Sequence, residues 1–322
     1  MLRCLLLSLS LVALLGTAGA RDFTRRALTR EEIEGRYATA KAALEDETIT
    51  EVSNVPGILA LCSQQGYAPA ARLLLDVYEG RFKGLQADPE KAANEARTIA
   101  EVPVPFPDDP DCTAMHIEAM YRWALYLERG YGCEKNEQEA YKWMSKAAAE
   151  GLPVAMVEQA RMLARGKGTS KDSRRAWNLL LDVALKAPDT PHVFFYMGYI
   201  CYSRQTEAGR RQAAELFFRG AKHQDADCMN NLAAMLEGGI TMKRNTAAAL
   251  SLYSKAAALG NKQASANMQR LTYKEGIKAS RQDTVPAMTR IGNAIQRVIR
   301  TLPINDKSQD RLWQWLSGHP AS

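Results

Sequence analysis

Small, apolar and capping residues recur along this chain at offsets that repeat from one segment to the next. An Asp or Asn stands four residues before a small residue in the pairs Asp88/Ala92, Asn136/Ala140, Asp172/Ala176, Asn245/Ala249 and Asp283/Ala287. Ala213 continues the series with Gly209 in the cap position, and the steps from Ala140 to Ala176, Ala213 and Ala249 are 36, 37 and 36 residues. A further alanine follows eight residues on, at Ala100, Ala148, Ala184, Ala221 and Ala257. In four copies a large apolar residue follows three on: Trp143, Leu179, Leu216 and Leu252.

These offsets predict helices. An Asp or Asn side chain accepts from the free N–H groups of a first turn and so starts a helix. Offsets of 3, 4 and 8 then fall on one face at 3.6 residues per turn. The segment before each cap carries a matching series: Trp123-Ala124, Gln159-Ala160 and Leu232-Ala233, then Tyr126-Leu127, Met162-Leu163 and Met235-Leu236. Gly130, Gly166 and Gly239 close these first helices, as a left-handed C-cap requires. A repeated helix pair of this length cannot bury its apolar face alone, so the pairs must stack.

The run Leu232-Ala233-Ala234-Met235-Leu236-Glu237-Gly238-Gly239, then Asn245 and Ala249, then Tyr253-Ser254-Lys255-Ala256-Ala257-Ala258-Leu259-Gly260, resembles the Sel-one-like repeat family. That family is a longer-period relative of the tetratricopeptide repeats. Met120 to Gly151 is similar, and the resemblance spans roughly residues 53 to 276. Two copies depart from it: Leu75 replaces a small residue, and Ser203 replaces a loop Gly. The expected fold is all-α, a right-handed α/α superhelical solenoid of antiparallel helix pairs, tetratricopeptide-like, with about five to six pairs.

Outside the repeats, Arg3, the apolar run Leu5 to Leu15 and Ala18-Gly19-Ala20 read as a secretory signal over residues 1–20, too short to span a bilayer comfortably. Thr29 with Glu32 forms a capping box opening an N-terminal capping helix within 21–52, with Ile33, Tyr37, Ala40 and Leu44 on one face. Residues 53–276 hold the repeats. They are interrupted between Glu101 and Asp111 by Pro103, Pro105, Pro107 and Pro110, after which Asp111 is expected to cap the next helix. Alternating prolines favour an extended path. The insert reads as a rigid spacer with Phe106 packed down, the alternative being a projecting binding loop. Residues 277–322 read as a degenerate repeat and C-terminal cap. Ile291, Ile295, Val298 and Leu302 turn inward there, beside Arg290, Arg297 and Arg300, and Asp306 caps a last helix bearing Trp313 and Trp315.

Charge and cysteine usage narrow the function. The net charge is +6, spread over all repeats, whereas nucleic-acid binders concentrate charge on one face, so no nucleic-acid partner is expected. Beyond Cys4, five cysteines (Cys62, Cys112, Cys133, Cys201 and Cys228) leave an odd number for an exported chain. Some secreted members of the resembled family staple each repeat with cysteines eight apart, a spacing absent here, so few or no disulfides are expected. Cys228 shares the register of Ala155 and Ala264 and reads as a buried small residue.

Nothing in the sequence spells chemistry. His116, His192, His223 and His319 show no metal-ligand spacing, and Gly166-Lys167-Gly168-Thr169-Ser170-Lys171 lacks the order of a phosphate loop. No catalytic residue, cofactor or metal is expected. In a superhelix of this kind the first helices line the concave face, and positions near −3, +1, +4 and +5 from the small residue point into the groove. That selects Tyr121, Arg161, Arg165, Phe194, Tyr202, Asn230 and Glu237 as partner-binding residues. The expected role is an exported, non-catalytic scaffold or adaptor for a protein or peptide partner. One alternative is a binder or hydrolase of cell-wall material or β-lactams, as the cysteine-rich branch of the family implies. The other is a membrane-surface scaffold resting on the helix after 287. Membrane association is not expected.

Overall fold

The computed structural model describes residues 28–46, 52–104 and 107–275, and all regular structure among them is helical. The signal segment, Phe106 and everything expected beyond Gly276 lie outside the described residues. The chain divides between Glu150 and Gly151 into two units. The first holds α1 (Arg30–Glu45), α2 (Val55–Gln64), α3 (Ala68–Tyr78), α4 (Pro89–Glu101), α5 (Pro110–Arg129) and α6 (Glu137–Ala149). The second holds α7 (Pro153–Arg165), α8 (Ser173–Lys186), α9 (Val193–Ser203), α10 (Glu207–Lys222), α11 (Ala226–Gly238), α12 (Thr246–Ala258) and α13 (Lys262–Glu275).

The helices start where capping chemistry places them. The side chains of Asp88, Asn136, Asp172 and Asn245 accept from the N–H of Lys91, Glu139, Arg175 and Ala248, each three residues on. Thr29 and Glu32 form the reciprocal capping box of α1. Gly130, Gly166 and Gly239 adopt left-handed conformations with φ of 70°, 70° and 66° and end α5, α7 and α11.

Two starts differ from expectation. Asp109, not Asp111, caps α5, accepting from the Asp111 N–H at 2.9 Å. Pro110 occupies the first helical position, where its missing N–H costs nothing, so the residue before it becomes the cap. Thr206, not Gly209, caps α10, and its hydroxyl accepts from the Gly209 N–H at 3.0 Å. Glycine has no side-chain oxygen to offer. At 209 it instead lies against the Cys201 carbonyl, where a Cβ would come within 2.5 Å.

Packing follows the repeat. The small residues of the second helices, Ala92, Ala140, Ala176, Ala213 and Ala249, are each 0% exposed, as are Ala124, Ala160 and Ala233 of the first helices. Between them sit Leu74, Met144, Met162, Leu180, Leu216, Leu232 and Tyr253, all fully buried. Each such side chain contributes about 1.5–3 kcal/mol by leaving water. In the first unit Ile33 and Ala40 of α1 bury against Val55, Leu59 and Cys62 of α2, with Tyr37 and Leu44 partly buried beside them. Among the described helices, every substantial contact joins helices one or two places apart in the chain.

The five described cysteines are all unpaired, and four of them are buried. Cys228 is 0% exposed, like Ala155 and Ala264 in the same register. Among the described residues no helix is long and apolar enough to cross a membrane.

Candidate functional site

Side chains on the first helices meet one repeat apart. In the second unit the Asn267 amide donates to Asn230 (3.0 Å), Asn261 donates to Asp227 (2.7 Å), and Arg270 clamps Glu237 through both terminal nitrogens (2.7 and 2.6 Å). These partners are 33 to 37 residues apart, one repeat period. The Tyr253 hydroxyl also donates to Glu237. Paired in this way, the polar groups of α11 and α13 tie neighbouring repeats together.

In the first unit a similar bridge is ionic. The buried Arg122 guanidinium of α5 faces Glu118 (2.7 Å), Asp76 (2.8 Å) and Glu79 (3.1 Å). Arg72 adds a second cation on Glu118 at 2.7 Å, and the Tyr126 hydroxyl donates to Glu79. Asp76 is close to Arg122 without an aligned hydrogen bond. Burial works to raise the Glu118 carboxyl, but Arg122 and Arg72 outweigh it and hold its pKa below the ordinary value.

A third cluster joins α9 to α11. His192, at φ 61°, precedes α9, and its Nδ1 lies 3.4 Å from both the Asp225 and Asp227 carboxylates. The His192, Asp225 and Asp227 ligand atoms lie within 4.8 Å of one another, close enough to be tested as a metal site. The Asp225 carboxylate is already engaged twice, however, accepting from the His192 N–H (3.1 Å) and from the Cys228 N–H (2.9 Å) as the cap of α11. Two helix N-termini also present positive dipole ends there. Helix capping and a His–carboxylate pair account for the group without an ion.

The remaining surface lies on α7 and α9. Arg165, exposed in the last turn of α7, stands over the rings of Tyr199 (5.6 Å) and Tyr196 (5.9 Å). Tyr199 and Tyr202, 38% and 39% exposed, are one turn apart on α9 and are two of the few exposed large apolar side chains among the described residues. Tyr196 beneath is buried, and burial, then Glu158, pushes its pKa up to about 12. Arg161, one turn before Arg165, is itself buried and paired with Glu158.

The sequence-derived set therefore divides. Arg165 and Tyr202 share the exposed surface of α7 and α9. Arg161, Asn230 and Glu237 are engaged in bridges to neighbouring side chains, and Tyr121 lies half-buried on α5 in the other unit. Phe194 is a correction: it is 2% exposed, stacked on the His223 ring at 5.4 Å and packed against Gly220. The cause is register. α9 ends at a C-cap on Arg204, one residue later than the Ser203 expectation requires, and Gln205 takes the left-handed position. The small residue of this copy is thus Gly198, where a Cβ would meet the Phe217 ring at 2.4 Å. Counting from Gly198, the +1 and +4 positions are Tyr199 and Tyr202. Tyr199 was legible in the sequence once that glycine was taken as the close-approach residue. The pairing of Arg122 with Asp76 and Glu79, and of His192 with Asp225, carried no local signal.

Comparison with known proteins agrees with this architecture. A family model for the Sel1 repeat matches residues 117–152, 153–181 and 226–261. The gap between the second and third matches holds α9 and α10, the copy whose register has drifted. No curated protein matches the chain. The crystal structure of a Sel1 repeat protein from Oxalobacter formigenes is similar with a TM-score of 0.54 at 19% identity, over 80% of this chain and 96% of that one. A second neighbour is c5321, described as a protective antigen present in uropathogenic Escherichia coli strains and displaying an SLR fold. It gives a TM-score of 0.52 at 18% identity, over 90% of this chain and 64% of that one. This chain therefore spans less than two thirds of that neighbour's length. Identities this low speak to the fold alone. The chain thus carries three segments that match the Sel1 repeat, and its all-helical fold is shared with solved proteins built from that repeat.

Proposed function

We propose that this chain is an exported, non-catalytic scaffold that binds a protein or peptide on its first helices. Sel1 repeats generally mediate protein–protein interaction. The observation that carries the reading for this chain is the exposed pair Tyr199 and Tyr202 beside Arg165. Tyr and Arg are among the side chains that most often anchor interfaces, Tyr because it offers large area with few rotors to freeze and Arg because its planar fork carries five donors. Export rests on Arg3, the apolar run Leu5 to Leu15 and Ala18-Gly19-Ala20. A non-catalytic role accords with the Arg122, His192 and Glu237 clusters, whose polar groups serve caps and repeat-to-repeat bridges.

A capture experiment tests the reading. The chain from Arg21 onward is used as bait on the envelope fraction of its own cells, beside a bait carrying Y199A and Y202A. A protein held by the first bait and lost from the second supports the scaffold. Equal retention by both, or retention of nothing proteinaceous, overturns it. Recovery of the chain in the cytoplasmic fraction with residues 1–20 still attached overturns export.

A further inference from the structure

Arg165 differs from Arg161 and Arg270 in what it faces. Arg161 on the same helix holds Glu158, and Arg270 on α13 holds Glu237 at 2.6 Å. Arg165 has no carboxylate in ion-pair range among the described residues, and its recorded neighbours are the Tyr196 and Tyr199 rings. A cation–π contact with those rings restrains the guanidinium without neutralising it, so less side-chain freedom remains to be lost when an anion arrives. Beside it, Tyr199 and Tyr202 offer two half-exposed rings one turn apart.

We propose that the Arg165–Tyr199–Tyr202 surface of α7 and α9 docks an acidic peptide segment of a partner protein. A carboxylate of that segment pairs with the Arg165 guanidinium, and a neighbouring apolar side chain lies on Tyr199 and Tyr202. The proposal deepens the scaffold reading and rests on it. Charge selects the occupant. The chain carries a net +6, so a second copy brings like charge to an unneutralised cation. Residues 276–322 hold seven basic against three acidic residues, which makes that stretch a poor complement for Arg165. An acidic segment from another protein meets both demands.

The test uses the purified chain and two short fluorescein-labelled peptides, one of alternating Glu and Phe and one with every Glu replaced by Gln, followed by fluorescence anisotropy across a salt series. The Glu peptide is expected to bind more tightly than the Gln peptide. R165Q is expected to weaken its binding by about fivefold or more and to flatten its salt dependence. R165K, which keeps the charge but not the planar guanidinium, should fall between. R174Q, at an exposed site on α8, removes the same charge elsewhere and should leave binding unchanged.

Equal binding of the two peptides, or equal losses in R165Q and R174Q, overturns the proposal. So does binding that appears only after residues 276–322 are deleted, since that stretch is then the occupant. If Y199A/Y202A loses a captured partner that R165Q retains, the scaffold stands and the acidic-segment proposal falls. If neither peptide binds and no partner is captured, both fall together.

Discussion

Nη1 of Arg122 donates to Oε1 of Glu79 at 3.1 Å, joining α5 to the end of α3 across successive repeats. With Asp76 and Glu118 also within 2.8 Å, the guanidinium balances three carboxylates in a largely buried setting. R122M keeps the volume of the stem and removes the charge. It is expected to cost about 3 kcal/mol, because carboxylates desolvated around a lost partner are the expensive case. Denaturant unfolding followed by circular dichroism measures it, and a loss of under about 1 kcal/mol would show the carboxylates rehydrating instead.

The same network sets an acid dependence. The Glu118 carboxyl is held below its ordinary value of 4.5, so its contribution is complete above that value and is lost as pH falls through the lower folded value. E118Q should lose stability near neutral pH and show a shallower fall in thermal midpoint on acidification than the wild type.

His192 titrates with the opposite sign. Asp225 first, then Asp227 and Glu158, hold its imidazole above the ordinary 6.5 against the opposing effect of burial. The stabilising pair is therefore complete below about 6.5 and is lost as pH rises through the folded value. The side chain is 45% exposed, so solvent screening limits the effect to about 0.5 kcal/mol. Comparing thermal midpoints of wild type and H192Q at about pH 5.5 and about pH 8.5 checks this, with convergence expected at the higher pH.

Two glycines with left-handed backbones should respond differently to alanine. At Gly132 (φ 67°) a Cβ would fall 1.8 Å from the Pro89 carbonyl oxygen, so G132A forces backbone apart and should cost about 2 kcal/mol or more. At Gly260 (φ 89°) a Cβ would meet nothing within 4 Å, and G260A carries only the conformational penalty of about 1 kcal/mol. Similar losses at both sites would contradict the close approach at Gly132.

Thiol accessibility gives a fifth check. Burial pushes the Cys201 thiol up to about 12, and Cys228 is 0% exposed, whereas Cys133 is partly exposed. Alkylation of the folded chain followed by peptide mass spectrometry should label Cys133 before Cys62, Cys112, Cys201 and Cys228, which become reactive only on unfolding.

Spacing alone disclosed the helical repeat, because caps, small residues and closing glycines sit at fixed offsets enforced by one backbone geometry. Asp88, Asn136, Asp172 and Asn245 start helices as their positions required. The reading failed where a local substitution moved the register. Pro110 passed the cap to Asp109, Gly209 passed it to Thr206, and the late end of α9 moved the small residue to Gly198. That last shift put Phe194 in the core and Tyr199 on the surface. Arg122 and His192 stayed invisible for a different reason: Glu79 and Asp225 lie 43 and 33 residues from them, and only the stacking of repeats brings each pair together.

That stacking also governs how either unit responds to force. Among the described helices, substantial contacts reach no further than two helices along the chain, so no pair of distant described segments is clamped together. Pulled by its ends, such an array has no mechanical lock to break at once. It yields one helix pair at a time under low tension and re-forms by the same local steps when released. A protein built this way extends under strain like a spring rather than snapping like a latch.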